Sequence, residues 1–283
     1  MKLPPLRYVA PRTVEEACAL LDADEDAKII AGGQSLMPLL AMRLAMPSTL
    51  VDLGRAPDLG RIEEAGEYLR IGAMTTHERV ITSPLVRDRL PLLVDAGRNI
   101  AHVQIRSRGT IGGSIAHGDN AGEWPLALLT LGGSVEVQSV RGRRLIPAEE
   151  LFLGPYMTSI QSDEVLTHVW LPTRTSGWSF HEAARRAGDY GLALVGVCLD
   201  LAAGTCTAAT LVVGAAAGTV QRVTAAEDAI VGSEVDARAA RSAGEAAAAS
   251  LSFISDIHGT REYRAHLVAG LVERAVVEAG GRR

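Results

Sequence analysis

The chain has 283 residues, 47% of them hydrophobic and 22% charged, with a formal net charge of −5. That length and apolar content suit one large domain or two to three small ones and exclude a disordered chain. The acidic balance argues against a nucleic-acid surface, because no concentrated basic patch is visible.

Thr13-Val14-Glu15-Glu16 is a capping box opening a short amphipathic helix with Val14, Ala17, Cys18 and Leu21 on one face. Lys28-Ile29-Ile30-Ala31 reads as a strand running into the doublet Gly32-Gly33. A helix is predicted over 34–42, with Ser35 near its N-cap and Pro38 in its first turn, and a second strand over 49–53. This first α/β block is placed at 1–55. A second block, 56–176, holds a strand at 68–73 and helices begun by Thr75-Thr76-His77-Glu78 and Ser83-Pro84. It continues with a helix at 91–101, a second doublet at Gly112-Gly113 and a helix at 123–130. Strands follow at 134–140, 143–147 and 165–171, the first two joined by a hairpin tip at Arg141-Gly142 beside Arg143 and Arg144. The third block, 177–283, has three strands at 179–185, 193–202 and 205–213. Three helices follow, at 224–231 behind a Thr-x-x-Glu box, 236–250 and 261–279. Strands followed by helices predict an α+β domain here, and the whole chain reads as α+β: two small N-terminal α/β subdomains, then a three-stranded antiparallel sheet with helices.

The most apolar stretch, 192–203, is too short to span a bilayer and contains Asp200. The start, Met1-Lys2-Leu3-Pro4-Pro5, lacks the apolar core of a signal peptide, so a cytoplasmic location is expected. Cys18, Cys198 and Cys206 show no C-x-x-C pairing and no iron–sulfur spacing, and read as reduced core residues.

The chemistry concentrates at two segments, Ala31-Gly32-Gly33-Gln34-Ser35 and Thr110-Ile111-Gly112-Gly113-Ser114. Paired glycines carry no Cβ to hold a ligand off the backbone, and they reach the positive φ values that aim successive N–H groups at one point. Two such nests could grip the two halves of a pyrophosphate; alternatively, each is only a tight turn. Rival phosphate motifs fail on inspection: no two glycines stand two positions apart, as G-x-G requires, and neither lysine is placed for a P-loop. H-E-x-x-H is absent, and no metal site is expected in this chain. Each hydrogen bond to a charged oxygen contributes roughly 1.5–3 kcal/mol, so four or five approach the roughly 8–12 kcal/mol of micromolar-to-nanomolar binding.

At these residues the chain resembles the FAD-binding medium subunit of the molybdenum hydroxylases, the group of carbon monoxide, xanthine and nicotine dehydrogenases. The matching pieces are Ala31 through Leu39, Gln104-Ile105-Arg106, Thr110 through Asp119, Arg186-Ala187-Gly188-Asp189-Tyr190, and a tail of Ser255-Asp256-Ile257-His258-Gly259 with Tyr263-Arg264. The resemblance covers essentially the whole chain and implies a PCMH-type FAD-binding fold. It also implies a first cofactor segment of Lys28, Ile29, Ile30, Ala31, Gly32, Gly33, Gln34, Ser35 and Leu36, and a second of Thr110, Ile111, Gly112, Gly113 and Ser114. Glu123 would accept hydroxyl hydrogens on the adenosine side, or simply cap its helix. Leu166 would be an apolar wall, though periodicity alone makes it a core residue. Tyr190 would stack near the isoalloxazine, or be a turn residue. His117 and Asp119 would line the flavin site, or His117 would be a satisfied polar group beneath a turn. Two departures stand out: Asn120 where relatives often carry Pro, and His181-Glu182 where many carry a lysine in the strand before Tyr190.

The resemblance further implies partners: a large subunit with the molybdopterin cofactor and a small one with two [2Fe–2S] clusters, assembled as a dimer of heterotrimers. FAD in this chain would pass electrons to an external acceptor, and no residue is named as a catalytic acid or base. A stand-alone FAD-dependent oxidoreductase and a non-catalytic scaffold are the alternatives.

Overall fold

The computed structural model describes residues 3–282. Its first sheet is parallel, in the order Arg7–Val9, Thr49–Asp52, Ala27–Ile30. Parallel neighbours need crossovers, and the helices Val14–Ala23 and Leu36–Ala41 supply them. Thr13 caps the first by accepting the Glu16 N–H, while the Glu16 carboxylate reaches back to the Arg12 N–H. Ala17, Cys18 and Leu21 then pack on Val51 and Leu53, and against Val165 of the next unit.

The second sheet is antiparallel and five-stranded, in the order Ile62–Ala65, Tyr68–Gly72, Val165–Pro172, Ser134–Ser139, Gly142–Pro147. The edge strand Ile62–Ala65 escaped the sequence reading because Glu63 and Glu64 interrupt its apolar alternation; Gly66, at φ +66°, turns it into its partner. The helices Pro91–Asn99 and Glu123–Thr130 lie in the main core with Leu69, Ile71, Val135 and Val169.

The C-terminal sheet runs Trp178–Ala184, Gly191–Ala202, Thr205–Gly214, and a two-residue strand Gln221–Arg222 extends it to four. The helices Ala237–Ser250 and Arg261–Gly281 cover it, with Ala240, Ala243, Ala247, Val272 and Ala275 buried between. The Thr224-x-x-Glu227 box does not cap its helix. Val223 occupies the N-cap position, and Glu227 is buried, accepting the Leu211 N–H at 2.8 Å and pairing with Arg222. The three cysteines are buried and free. The tail motif is structural: Arg264, 2% exposed, donates to the Leu192 and Ala215 carbonyls and to Asp256, tying the last helix to the sheet.

Candidate cofactor site

The two glycine doublets meet in space. A Cβ on Gly32 would lie 2.2 Å from the Arg108 carbonyl oxygen, and one on Gly113 would lie 3.3 Å from the Ala31 Cβ. Only glycine lets the first loop approach the backbone just before Thr110 this closely.

The loops are not alike. Gly33 adopts φ +74°, and the Gln34 side-chain amide braces the turn by donating to the Gly32 carbonyl at 3.0 Å. The N–H groups of Gly32, Gly33, Gln34 and Ser35 find no protein acceptor among the described residues. Ser35 stands at the N-cap of Leu36–Ala41 but makes no side-chain cap, and its hydroxyl has no hydrogen-bond partner among the described residues; the helix predicted over 34–42 is shorter at both ends. Four consecutive unpaired N–H groups at a positive-φ glycine are donors of the kind that nests offer to anions.

The second doublet is not a turn. Gly112 and Gly113 lie in the first turn of the helix Ile111–His117, with Thr110 as its N-cap. Their N–H groups are already used: Ile111 donates to Thr75 O, Gly112 to Ala73 O at 2.9 Å, Gly113 to Thr110 Oγ1, and Ser114 to Thr110 O. Gly112 is needed for packing, since a Cβ there would fall 2.4 Å from the Ala73 Cβ. The paired-nest reading therefore narrows to one nest of main-chain amides facing a helix start. That start offers the Thr110 N–H and the hydroxyls of Thr110 and Ser114. Beneath it, the buried His77 accepts a 2.7 Å hydrogen bond from the Trp124 indole, its main-chain N–H holds the Gly109 carbonyl, and burial drops its imidazole to about 4.

Two exposed cations lie near these segments. Lys28 is exposed on the first sheet and close enough to help lower the His117 pKa, after burial, which is the main cause. Arg108, missed by the sequence reading although it directly precedes the second segment, is exposed beside the Gly32 contact. Neither forms an ion pair among the described residues.

At the far end of the helix, Gly118 takes φ +65° and the chain turns into Asp119, which is buried and accepts the Ala121 N–H. His117 stacks obliquely on Tyr156, ring centroids 5.0 Å apart. Burial raises the Tyr156 phenol and the nearby Asp119 adds to it, so Tyr156 belongs to this region too, a residue for which the sequence carried no signal. Tyr190 exposes 73% of its surface, yet the surrounding protein raises its phenol pKa, with Asp119 and Glu123 contributing. Glu123 starts the helix Glu123–Thr130; burial, then Glu182 and Asp119, push its carboxyl up to about 8. Burial lifts Glu182 to about 7. Leu166 is 7% exposed in the main core, at a bulge between Leu166 and His168.

Unpaired main-chain amides with exposed cations nearby, together with aromatic rings and carboxyl acceptors, are the groups that suit a nucleotide built from a diphosphate, hydroxyl-rich sugars and planar rings. The class this defines is a flavin-nucleotide-binding protein with a separate C-terminal α+β domain. Family comparison agrees: residues 4–174 match the FAD binding domain in molybdopterin dehydrogenase, and residues 178–279 match the CO dehydrogenase flavoprotein C-terminal domain. The nicotine 6-hydroxylase medium subunit of Paenarthrobacter nicotinovorans is 58% identical over 282 residues, covering 100% of both chains. Among solved structures, quinoline 2-oxidoreductase from Pseudomonas putida 86 superposes with a TM-score of 0.96 at 40% identity, over 99% of each chain. Carbon monoxide dehydrogenase from Hydrogenophaga pseudoflava gives 0.97 at 37%, over 100% of this chain and 99% of that one. The chain belongs to the FAD-binding medium subunits of the molybdenum hydroxylases and is an oxidoreductase subunit that binds FAD. Among the described residues, no helix is long and apolar enough to cross a membrane.

Proposed function

We propose that this chain is the electron-relay subunit of a heterotrimer whose large subunit carries the molybdopterin cofactor and whose small subunit carries two [2Fe–2S] clusters, two heterotrimers pairing in the holoenzyme. The relay receives electrons from the small subunit and delivers them to an external acceptor. What carries this reading is the end-to-end match to a medium subunit in a chain whose two phosphate-facing segments are in contact. The name of that relative, together with quinoline 2-oxidoreductase, supports a nitrogen heterocycle of the nicotine type as the substrate of the holoenzyme.

FAD, when bound, supplies the redox chemistry. The protein's share is binding and orientation. The Gly32–Ser35 amides, the Thr110 N–H and the Thr110 and Ser114 hydroxyls hold the diphosphate, with Lys28 through Leu36 and Thr110 through Ser114 as the two segments. Lys28 and Arg108 offset its charge. Glu123 accepts hydroxyl hydrogens, Tyr190 covers a ring face, His117 and Asp119 line the flavin site, and Leu166 is an apolar wall. The domain divisions 1–55, 56–176 and 177–283 place both segments ahead of the C-terminal unit.

Affinity purification from the native cells tests the assembly. Two further polypeptides should accompany the chain, one with iron and one with molybdenum, and nicotine should bleach the flavin absorbance of the complex. A chain recovered alone, its flavin reduced directly by a small molecule, would instead establish the stand-alone oxidoreductase. Glu123 and Glu182 are the raised carboxyls that such an enzyme would use.

A further inference from the structure

The motif Gln104-Ile105-Arg106 lies outside both cofactor segments, and its arginine is part-buried at the end of the short helix Val103–Arg106. Arg106 Nε donates to the Glu78 carboxylate at 3.1 Å, and its Nη1 donates to the carbonyls of Ile100 and Ala101 at 3.0 and 3.2 Å. Those two carbonyls follow the last turn of the helix Pro91–Asn99, where main-chain acceptors run out of helical partners. Ala101 stands at φ +37°, a left-handed conformation that alanine keeps only where its surroundings impose it. One guanidinium thus ties the strained residue to the helix His77–Thr82, which carries Glu78.

Against this corner lies the loop of the C-terminal unit that carries Tyr190. A Cβ on Gly188, at φ +82°, would sit 3.0 Å from the Ala101 carbonyl oxygen, and 2.6 and 2.8 Å from His102 Cε1 and Nδ1. Only glycine allows that approach. The rest of the loop is exposed: Arg185, Arg186, Ala187, Asp189 and Tyr190 all face solvent, and a hydrogen bond from the Asp189 N–H to the Arg186 carbonyl closes the turn. Gly188 is where the turn rests on the neighbouring unit, and the carbonyl it rests on is one that Arg106 holds.

We propose that Arg106 is a positioning residue: by fixing Ala101 and its carbonyl it seats the Gly188 turn, and so sets where the Tyr190 ring stands against the bound flavin. This rests on the reading that Tyr190 covers a ring face of FAD. It gives the arginine of the Gln-Ile-Arg motif a task that passes through the contact between the two units.

The test uses the full-length chain saturated with FAD and reads emission per bound flavin, because a phenol stacked on the ring quenches flavin fluorescence. Tyr190→Leu should brighten the bound flavin. Arg106→Met should give at least half of that gain, and should add nothing in the Tyr190→Leu chain, where the ring it positions is gone. Arg106→Lys keeps the charge but not the fork that spans three acceptors, so it should brighten less than Arg106→Met. A lower melting temperature without brightening would make Arg106 only the end piece of a helix and overturns the inference. Equal brightening by Arg106→Met with and without Tyr190 overturns it too. If Arg106→Met does not fold, Gly188→Ala decides from the other side of the contact: brightening supports the seat, and unchanged emission removes it. Tyr190→Leu with wild-type emission would instead sink the reading of Tyr190 beneath it.

Discussion

Gly32→Ala is the sharpest test of the joined loops. Its Cβ would meet the Arg108 carbonyl oxygen at 2.2 Å and the Gly109 Cα at 2.7 Å, both backbone atoms that no rotamer change can move. An ordinary contact needs about 3.4 Å or more, so the segments must part by about 1 Å. That displacement carries the four free N–H groups off the Thr110 side. Losing two hydrogen bonds to phosphate oxygens costs roughly 3–6 kcal/mol, which is roughly a hundred- to ten-thousandfold in Kd. Gly66→Ala is the control for the substitution itself, because Gly66 has nothing within 4 Å of its would-be Cβ and only its positive φ opposes the change. It should lower stability by about 1 kcal/mol and leave FAD affinity alone. Flavin fluorescence titration measures both variants, with circular dichroism to confirm folding. A Gly32→Ala chain that folds and binds FAD within threefold of wild type would show that the two segments do not form one site.

Further outcomes follow from single residues. The carboxyl groups of Glu123 and Glu182 have folded-state pKa values raised to about 8 and about 7 from the ordinary 4.5, so they favour folding only while protonated. Flavin-free protein should therefore lose stability as pH rises from about 5 to about 8, and Glu123→Gln should flatten that slope in urea titrations; an unchanged slope would refute the assignment. His77 shifts the other way, from 6.5 to about 4, so its share of stability is intact above pH 6.5 and is lost as pH falls towards 4. Trp124→Phe orphans the buried His77 Nδ1 and should cost about 1–3 kcal/mol by chemical denaturation. Arg264→Met strands Asp256 and two main-chain carbonyls, and should cost roughly 3–5 kcal/mol, with Arg264→Lys intermediate.

Local signals carried most of the elements, because their causes are local. Thr13, Thr76, Ser83, Asp236 and Thr260 each cap a helix through a side-chain oxygen, and each stands in a pattern readable from its neighbours. Where the reading failed, a distant residue had taken a local partner's place. Glu227 has the spacing of a capping box, yet its carboxylate is claimed by Leu211 and Arg222 on neighbouring strands. Ile62–Ala65 has the wrong alternation for a strand, and is one because Tyr68–Gly72 folds back on it.

The same distinction runs through the cofactor cleft. Both doublets read alike in sequence, but a glycine can be required by a ligand, by a turn or by a neighbouring backbone, and one-dimensional spacing does not separate the three. Gly33 is a turn glycine, Gly32 yields room to Arg108, and Gly112 yields room to Ala73. Whether an amide is available to a ligand depends on where its hydrogen goes. The segment Ala73–Thr75, just past the strand, takes the hydrogens of Ile111 and Gly112, whereas no described residue takes those of Gly32 through Ser35. The division of labour follows: the first segment supplies donors and the second supplies a rigid wall with two hydroxyls. A Ser114→Ala chain should accordingly lose FAD affinity by roughly three- to tenfold, the net effect of one hydroxyl hydrogen bond. Gly113→Ala meets Thr110 Oγ1 at 2.9 Å and disturbs the cap that fixes that wall. Ser114→Ala should leave the melting temperature of flavin-free protein unchanged, and Gly113→Ala should lower it. Equal melting temperatures for the two would mean that Thr110 does not organise the second segment.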